Sequence, residues 1–132
     1  MNLETIFKDN RQWVQEKLKV DSAYFKNLFK GQHPEMLYIG CFDSRVTAEE
    51  MMEANLGQVF VYCNIANMVS SLDLSAISVI NYTVNHLKVK HIVVCGHCYC
   101  GGVKVAMQAQ DLGILNPGLE IFGMYIAYIR IR

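Results

Sequence analysis

The sequence predicts an α/β fold, a parallel-sheet core with flanking helices, and three observations carry that prediction. Three short runs, residues 36–41, 58–62 and 91–95, are almost continuously apolar. Runs of that kind suit parallel strands covered on both faces. Stretches with helical periodicity precede, separate and follow them, and strands alternating with helices define the α/β class. The chain has 132 residues, enough for one domain with a core of its own.

The elements follow in order. Leu3, Ile6, Phe7, Val14 and Leu18 recur at helical spacing, with Lys8, Asp9, Arg11, Lys17 and Lys19 on the other side. This predicts an amphipathic helix over residues 3–19. Asp21-Ser22 is a cap for a second short helix carrying Tyr24, Phe25, Leu28 and Phe29. The apolar sides of both helices pack either on their own domain or on a partner subunit. Gly31-Gln32-His33-Pro34 ends the helical region, and residues 36–41 form the first strand. Asp43-Ser44 reads as the cap of a helix over residues 46–53. Residues 58–62 form the second strand. From Ser71 to about Leu87 a long helix is expected, with Ala76, Ile77, Ile80, Val84 and Leu87 as its buried stripe. The third strand, residues 91–95, is expected to be buried. Gly101-Gly102 opens a final helix to about Gln110.

Composition narrows the function classes. Twelve basic residues balance 12 acidic ones, and no basic stripe stands out, which argues against nucleic-acid binding. There is no run of about 18 apolar residues, so no membrane span is expected. The first ten residues lack an apolar signal core, and a cytoplasmic protein is expected. Five cysteines, Cys41, Cys63, Cys95, Cys98 and Cys100, are then more apt for metal or redox chemistry than for disulfide staples.

Cys41 and His97 each lie at the C-terminal end of an expected parallel strand, where open α/β sheets build their sites. If those strands are neighbours, Cys41, His97 and Cys100 converge. Two thiolates and an imidazole are a good zinc set that leaves a fourth position open. The competing reading is a buried structural cysteine cluster. Asp43 and Arg45 follow Cys41 closely: Asp43 either takes the fourth metal position or is held off the metal by a bidentate pair with Arg45. A rival chemistry uses Cys95-Gly96-His97-Cys98, a C-x-x-C thiol–disulfide motif after a strand. That motif normally starts its helix directly, whereas Tyr99-Cys100-Gly101-Gly102 intervene here. His33, His86 and His91 read as surface or capping residues.

These motifs resemble the β-class carbonic anhydrases. The resemblance rests on Gln32-x-Pro34, Tyr38-Ile39-Gly40-Cys41-x-Asp43-Ser44-Arg45-Val46, Asn64-Ile65-Ala66-Asn67-Met68-Val69 and Cys95-Gly96-His97-x-x-Cys100-Gly101-Gly102. It runs in register to about Pro117. It implies zinc held by Cys41, His97 and Cys100, a dyad of Asp43 and Arg45, and Gln32 as a hydrogen-bond donor to substrate. The implied reaction is reversible hydration of CO2 to bicarbonate and a proton. The implied assembly is a homodimer or higher homo-oligomer, with N-terminal helices crossing onto the partner.

Some positions depart from the family pattern: Phe42, Tyr62-Cys63 and Cys98-Tyr99. The family usually has arginine at the place of Cys63, and in one branch that arginine helps hold a regulatory bicarbonate, so Cys63 argues against that control. The larger departure follows Asn116-Pro117. Gly118 to Tyr128 is what a single-base deletion in codons for the family's usual continuation encodes. The expectation is therefore a β-carbonic-anhydrase-like domain at residues 1–117, a frameshifted tail at 118–132, and C-terminal strands missing. The tail's Ile121, Phe122, Tyr125, Ile126 and Ile129 are expected to form an apolar helix face over the bared sheet edge or to drive aggregation. The alternative function is an inactive truncated remnant that binds zinc or a partner subunit.

Overall fold

The structure, a computed structural model, describes residues 2–108, 111, 113–115 and 119. The expected apolar face of the tail lies outside them. The chain divides into two compact units, Met1–Gln32 and His33–Arg132.

In the first unit, helix α1 spans Leu3–Val20 and is capped by the Asn2 side chain, which accepts a hydrogen bond from the Thr5 N–H at 2.8 Å. None of its residues is buried. Helix α2 spans Tyr24–Leu28. Asp21 takes the role read for it in a modified form: its carboxylate accepts from the Ala23 N–H at 2.8 Å and closes the turn before α2. Trp13 meets the Phe25 ring edge-on at 5.5 Å, and the Lys17 ammonium sits 5.4 Å from the Tyr24 ring centre. The two helices are thus joined by aromatic contacts.

The second unit holds a three-stranded parallel sheet in the order β2-β1-β3. Strand β1 is Met36–Cys41, β2 is Val59–Asn64 and β3 is His91–Cys95. Helix α3, Ala48–Met51, lies between β1 and β2. Helix α4, Leu74–Tyr82, continues as a π-helical turn, Thr83–Leu87, before β3, and α5, Gly101–Ala106, follows β3. β1 is central and its Leu37, Tyr38, Ile39 and Cys41 are buried. The chain pairs β2 on one side of β1 and then returns to pair β3 on the other. The strand order therefore reverses beside β1, which places a natural crevice at the C-terminal ends of β1 and β3.

Several elements differ from expectation. β3 is an edge strand among the described residues, and Ile92 and Val94 are 47% and 53% exposed rather than buried. An apolar run reports a strand but not its place in the sheet. Helix α3 is shorter than residues 46–53 and starts after Thr47; the Asp43 carboxylate accepts from the backbone N–H and the guanidinium of Arg45, in the turn before the helix. The cap of α4 is Asp73 rather than Ser71, with its carboxylate accepting from the N–H groups of Ser75 and Ala76. Its inward face is Ala76, Val79, Ile80, Thr83 and Leu87, while Ile77 and Val84 face outward. Thr83 was hidden from a purely apolar reading. It is fully buried, and its hydroxyl donates within the helix to the carbonyls of Val79 and Ile80. Helix α5 ends at Ala106.

Candidate metal centre

Three elements bring three side chains together at the crevice. Cys41 is the last residue of β1, His97 lies in the turn after β3, and Cys100 immediately precedes α5. One ligand atom from each lies within 4.8 Å of the others, and Cys41 and Cys100 are buried. The two sulfurs are 3.6 Å apart. Tetrahedral zinc with Zn–S bonds of about 2.3 Å places two sulfurs about 3.8 Å apart. The spacing therefore fits one metal ion. The imidazole supplies the sharper test. His97 Nε2 is buried and has no hydrogen-bond partner, whereas buried polar atoms are normally satisfied. A buried imidazole nitrogen left without a hydrogen-bond partner, on a residue whose ring lies beside two thiols, suits a metal ligand. Among the described residues no other group of three such side chains converges.

The surroundings fix these three side chains. His97 Nδ1 lies 3.0 Å from the Cys98 carbonyl oxygen. A carbonyl only accepts, so Nδ1 carries the proton and Nε2 is left as the acceptor. Burial pushes the Cys41 thiol up, the backbone N–H of Ala66 pulls it back, and the Cys100 thiol raises it again. Ala66 is itself fully buried in a left-handed conformation, φ 65°. The Asn64 side chain clamps that turn, donating to the Met68 carbonyl at 2.7 Å and accepting from the Met68 N–H at 2.6 Å. Ala66, Cys41, Cys100 and Leu119 form one buried cluster, so the thiols rest on an apolar floor. Leu119 belongs to the stretch read as a frameshifted tail.

Asp43 sits at the rim. Its carboxylate accepts from Arg45 Nε and Arg45 Nη2, each at 2.8 Å, and from the Arg45 backbone N–H at 3.0 Å. These bonds hold its carboxyl well below the usual carboxylate range. Asp43 Oδ2 is 3.7 Å from His97 Nε2, beyond hydrogen-bonding distance. Of the two arrangements open in the sequence, the carboxylate here faces the guanidinium. A cavity of about 480 Å3 opens beside the centre, lined by His97, Tyr99, Cys100, Val103, Lys104 and Met107. Gln32 is exposed and belongs to the first unit.

Cys63 and Cys95 are half-buried, Cys98 is exposed, and none of the five cysteines is in a disulfide. His33 and His91 are exposed, and His86 stacks near Tyr82 with ring centres 5.7 Å apart. Two contributors escaped the sequence reading: the Ala66 N–H and the Cys98 carbonyl. Both are backbone groups, which every residue possesses, so no side-chain pattern marks them.

The family model described as "Carbonic anhydrase" matches residues 36–123, which include Cys41, His97 and Cys100. A carbonic anhydrase of Emericella nidulans is 60% identical over 89% of this chain and 51% of that protein. One of Saccharomyces cerevisiae is 34% identical over 83% of this chain and 49% of that protein. The chain thus spans about half the length of these curated relatives. Among solved structures, a tetrameric β-carbonic anhydrase from Sordaria macrospora superposes with a TM-score of 0.89 at 40% identity, covering 92% of this chain and 62% of that one. A Coccomyxa β-carbonic anhydrase in complex with acetazolamide gives 0.86 at 41% identity, covering 90% and 55%. No helix among the described residues is long and apolar enough to cross a membrane. With the parallel sheet and these likenesses in agreement, the chain belongs to the β class of the carbonic anhydrase family.

Proposed function

We propose that the chain binds Zn2+ through Cys41, His97 and Cys100 and catalyses the reversible hydration of CO2 to bicarbonate and a proton. The observation that carries this reading is the convergence of two thiols and a buried, unpartnered imidazole nitrogen within 4.8 Å. Zinc, when bound, supplies the Lewis acidity that makes water a nucleophile, an effect for which carbonic anhydrases are the established example.

The chain's own residues have separate tasks. Cys41 and Cys100 give up their protons to hold the metal and neutralise its charge. His97 offers Nε2 because Nδ1 is occupied by the Cys98 carbonyl. Asp43, kept ionised by Arg45, is too weak a base to remove a proton at neutral pH but is a well-placed hydrogen-bond acceptor. It therefore orients a donor at the centre, and Arg45 fixes Asp43. Gln32 donates a hydrogen bond to substrate. Val103 and Met107 offer apolar contact to CO2, and Lys104 offers charge complementarity to bicarbonate at the cavity wall.

The proposed assembly is a homodimer or larger homo-oligomer, in which the apolar stripe of α1 packs on the partner. Leu3 and Phe7 are 72% and 60% exposed in the single chain. The proposed location is the cytoplasm, where the unpaired cysteines stay reduced.

A second reading, a zinc-binding chain without turnover, is favoured by one observation. The strand leading into the His97 turn has exposed apolar side chains, so the support of that ligand is thin. Stopped-flow CO2 hydration by the zinc-loaded chain separates the two. Turnover above buffer that disappears in His97→Ala is expected; stoichiometric zinc with no turnover supports the second reading.

A further inference from the structure

Tyr99 has the geometry of a backbone device rather than of a side-chain site. Its φ is +57°, in the left-handed region that non-glycine residues seldom adopt. Its side chain is 95% exposed, so packing of the ring does not explain the conformation. The residue lies between two metal-ligand candidates, and its φ, with the ψ of Cys98, sets the plane of the peptide joining them. That peptide carries the Cys98 carbonyl oxygen, 3.0 Å from His97 Nδ1. Cys100, on the far side, is anchored in its buried cluster, so a change of Tyr99 to the ordinary negative φ has to be offset by the ψ of Cys98, and that paired rotation turns the peptide and its oxygen away from the imidazole.

We propose that Tyr99 is a positioning residue whose left-handed backbone, not its aromatic ring, holds the Cys98 carbonyl against His97 Nδ1 and so keeps the Nε2 lone pair facing the thiols of Cys41 and Cys100. The chemistry is a choice of tautomer. With Nδ1–H bonded to a carbonyl, the proton cannot sit on Nε2, and the imidazole is ready to ligate. Without that bond the neutral ring divides between two tautomers, one of which has a proton where the metal must bind. The orphaned, buried state of Nε2 shows which nitrogen the fold reserves. The inference rests on the zinc reading, but its structural part concerns the metal-free chain as well.

The test is a substitution series at this one position on the full chain. Tyr99→Gly and Tyr99→Asn tolerate positive φ; Tyr99→Val, branched at Cβ, does not. Zinc affinity is read by competition with a chromophoric chelator, and the His97 tautomer of the metal-free chain by nitrogen-15 NMR. Gly and Asn are expected to hold zinc as tightly as Tyr, and Val to weaken it about 10- to 100-fold, the range for lost support of a metal ligand. The metal-free Tyr, Gly and Asn proteins are expected to show Nδ1-protonated His97, and the Val protein a mixture. Equal affinity in Tyr and Val, or an equal loss in Gly and Val, overturns the proposal, the latter by assigning the role to the ring. If the parent chain binds no zinc, the metal reading fails, and the NMR series alone decides the positioning claim: an unchanged tautomer in Val contradicts it.

Discussion

A carboxylate that accepts two guanidinium N–H groups and one backbone N–H has its direction and its charge settled before any substrate arrives. That is the state of Asp43. Arg45→Ala is expected to lower CO2 hydration about 10- to 100-fold, a typical cost of removing a group that orients a metal site, while zinc still binds at one per chain. Arg45→Lys is not expected to restore activity, because an ammonium cannot make the paired contacts. Full activity in Arg45→Ala contradicts a role for Arg45 in orienting Asp43. The proton balance changes too. In the parent the Asp43 carboxyl titrates below its ordinary range; in Arg45→Ala it returns toward 3.8, which carbon-13 NMR of the carboxyl reads directly. At this scale the candidate site was largely legible. Cys41-x-Asp43-x-Arg45 and His97-x-x-Cys100 carry side-chain chemistry at readable spacings. What was not legible was the division of Asp43 between metal and Arg45, which depends on rotamers, and the contributions of Ala66 and Cys98, which are made by the backbone.

The elements place these residues through close packing at the start of α5. A Cβ added to Gly102 would lie 2.6 Å from Ile65 Cγ2, 3.0 Å from Ala66 Cβ and 3.2 Å from the Ala66 nitrogen. Gly102 therefore lets α5, and with it Cys100, approach the turn whose N–H group meets Cys41. Ordinarily, alanine in place of a helical glycine stabilises by about 0.5–1 kcal/mol. Gly102→Ala is expected to reverse that sign and cost about 1–3 kcal/mol, the usual range for overpacking. Gly101, with nothing within 4 Å of its added Cβ, is the control and is expected to tolerate alanine. Urea unfolding of both variants gives the answer; equal midpoints remove the packing argument. Helix α4 shows why the facing of an element resisted the sequence reading. The inward face of α4 includes Thr83, a polar residue satisfied inside its own helix, so the apolar stripe was read one side too far round. β3 matched a strand pattern but was read as buried, whereas among the described residues it lies at an edge with Ile92 and Val94 exposed, because burial follows from the path of the whole chain.

At the scale of the molecule, the buried centre of the sheet contributes to the response to alkaline pH. Burial foremost, then a hydrogen bond with Cys95, push the Tyr38 hydroxyl up from 10.0 to about 12. The folded chain thus keeps a proton that the unfolded chain releases. The stabilisation is complete below pH 10 and fades as pH rises from 10 through about 12. The urea midpoint of the metal-free chain is expected to fall across that window, and Tyr38→Phe to flatten the fall. An identical slope in Tyr38→Phe assigns the alkaline loss to other groups. Assembly is the second property at this scale. Light scattering coupled to size exclusion is expected to give at least twice the chain mass, and a Leu3→Asp, Phe7→Asp double variant to shift toward the monomer. A monomeric parent contradicts the proposed role of α1. The fold class was readable from apolar runs and helical spacing, since those patterns report local structure and burial. Whether the apolar face of α1 serves its own chain or another copy was not readable, because one chain's sequence does not separate the two.

Every role proposed for the crevice depends on zinc held by Cys41, His97 and Cys100. X-ray absorption at the zinc edge of the loaded chain tests that ligand set most directly. The expected signal is two sulfurs at about 2.3 Å with nitrogen or oxygen at about 2.0–2.1 Å, falling to one sulfur in either Cys41→Ser or Cys100→Ser. A shell without sulfur, or one unchanged by both substitutions, contradicts it.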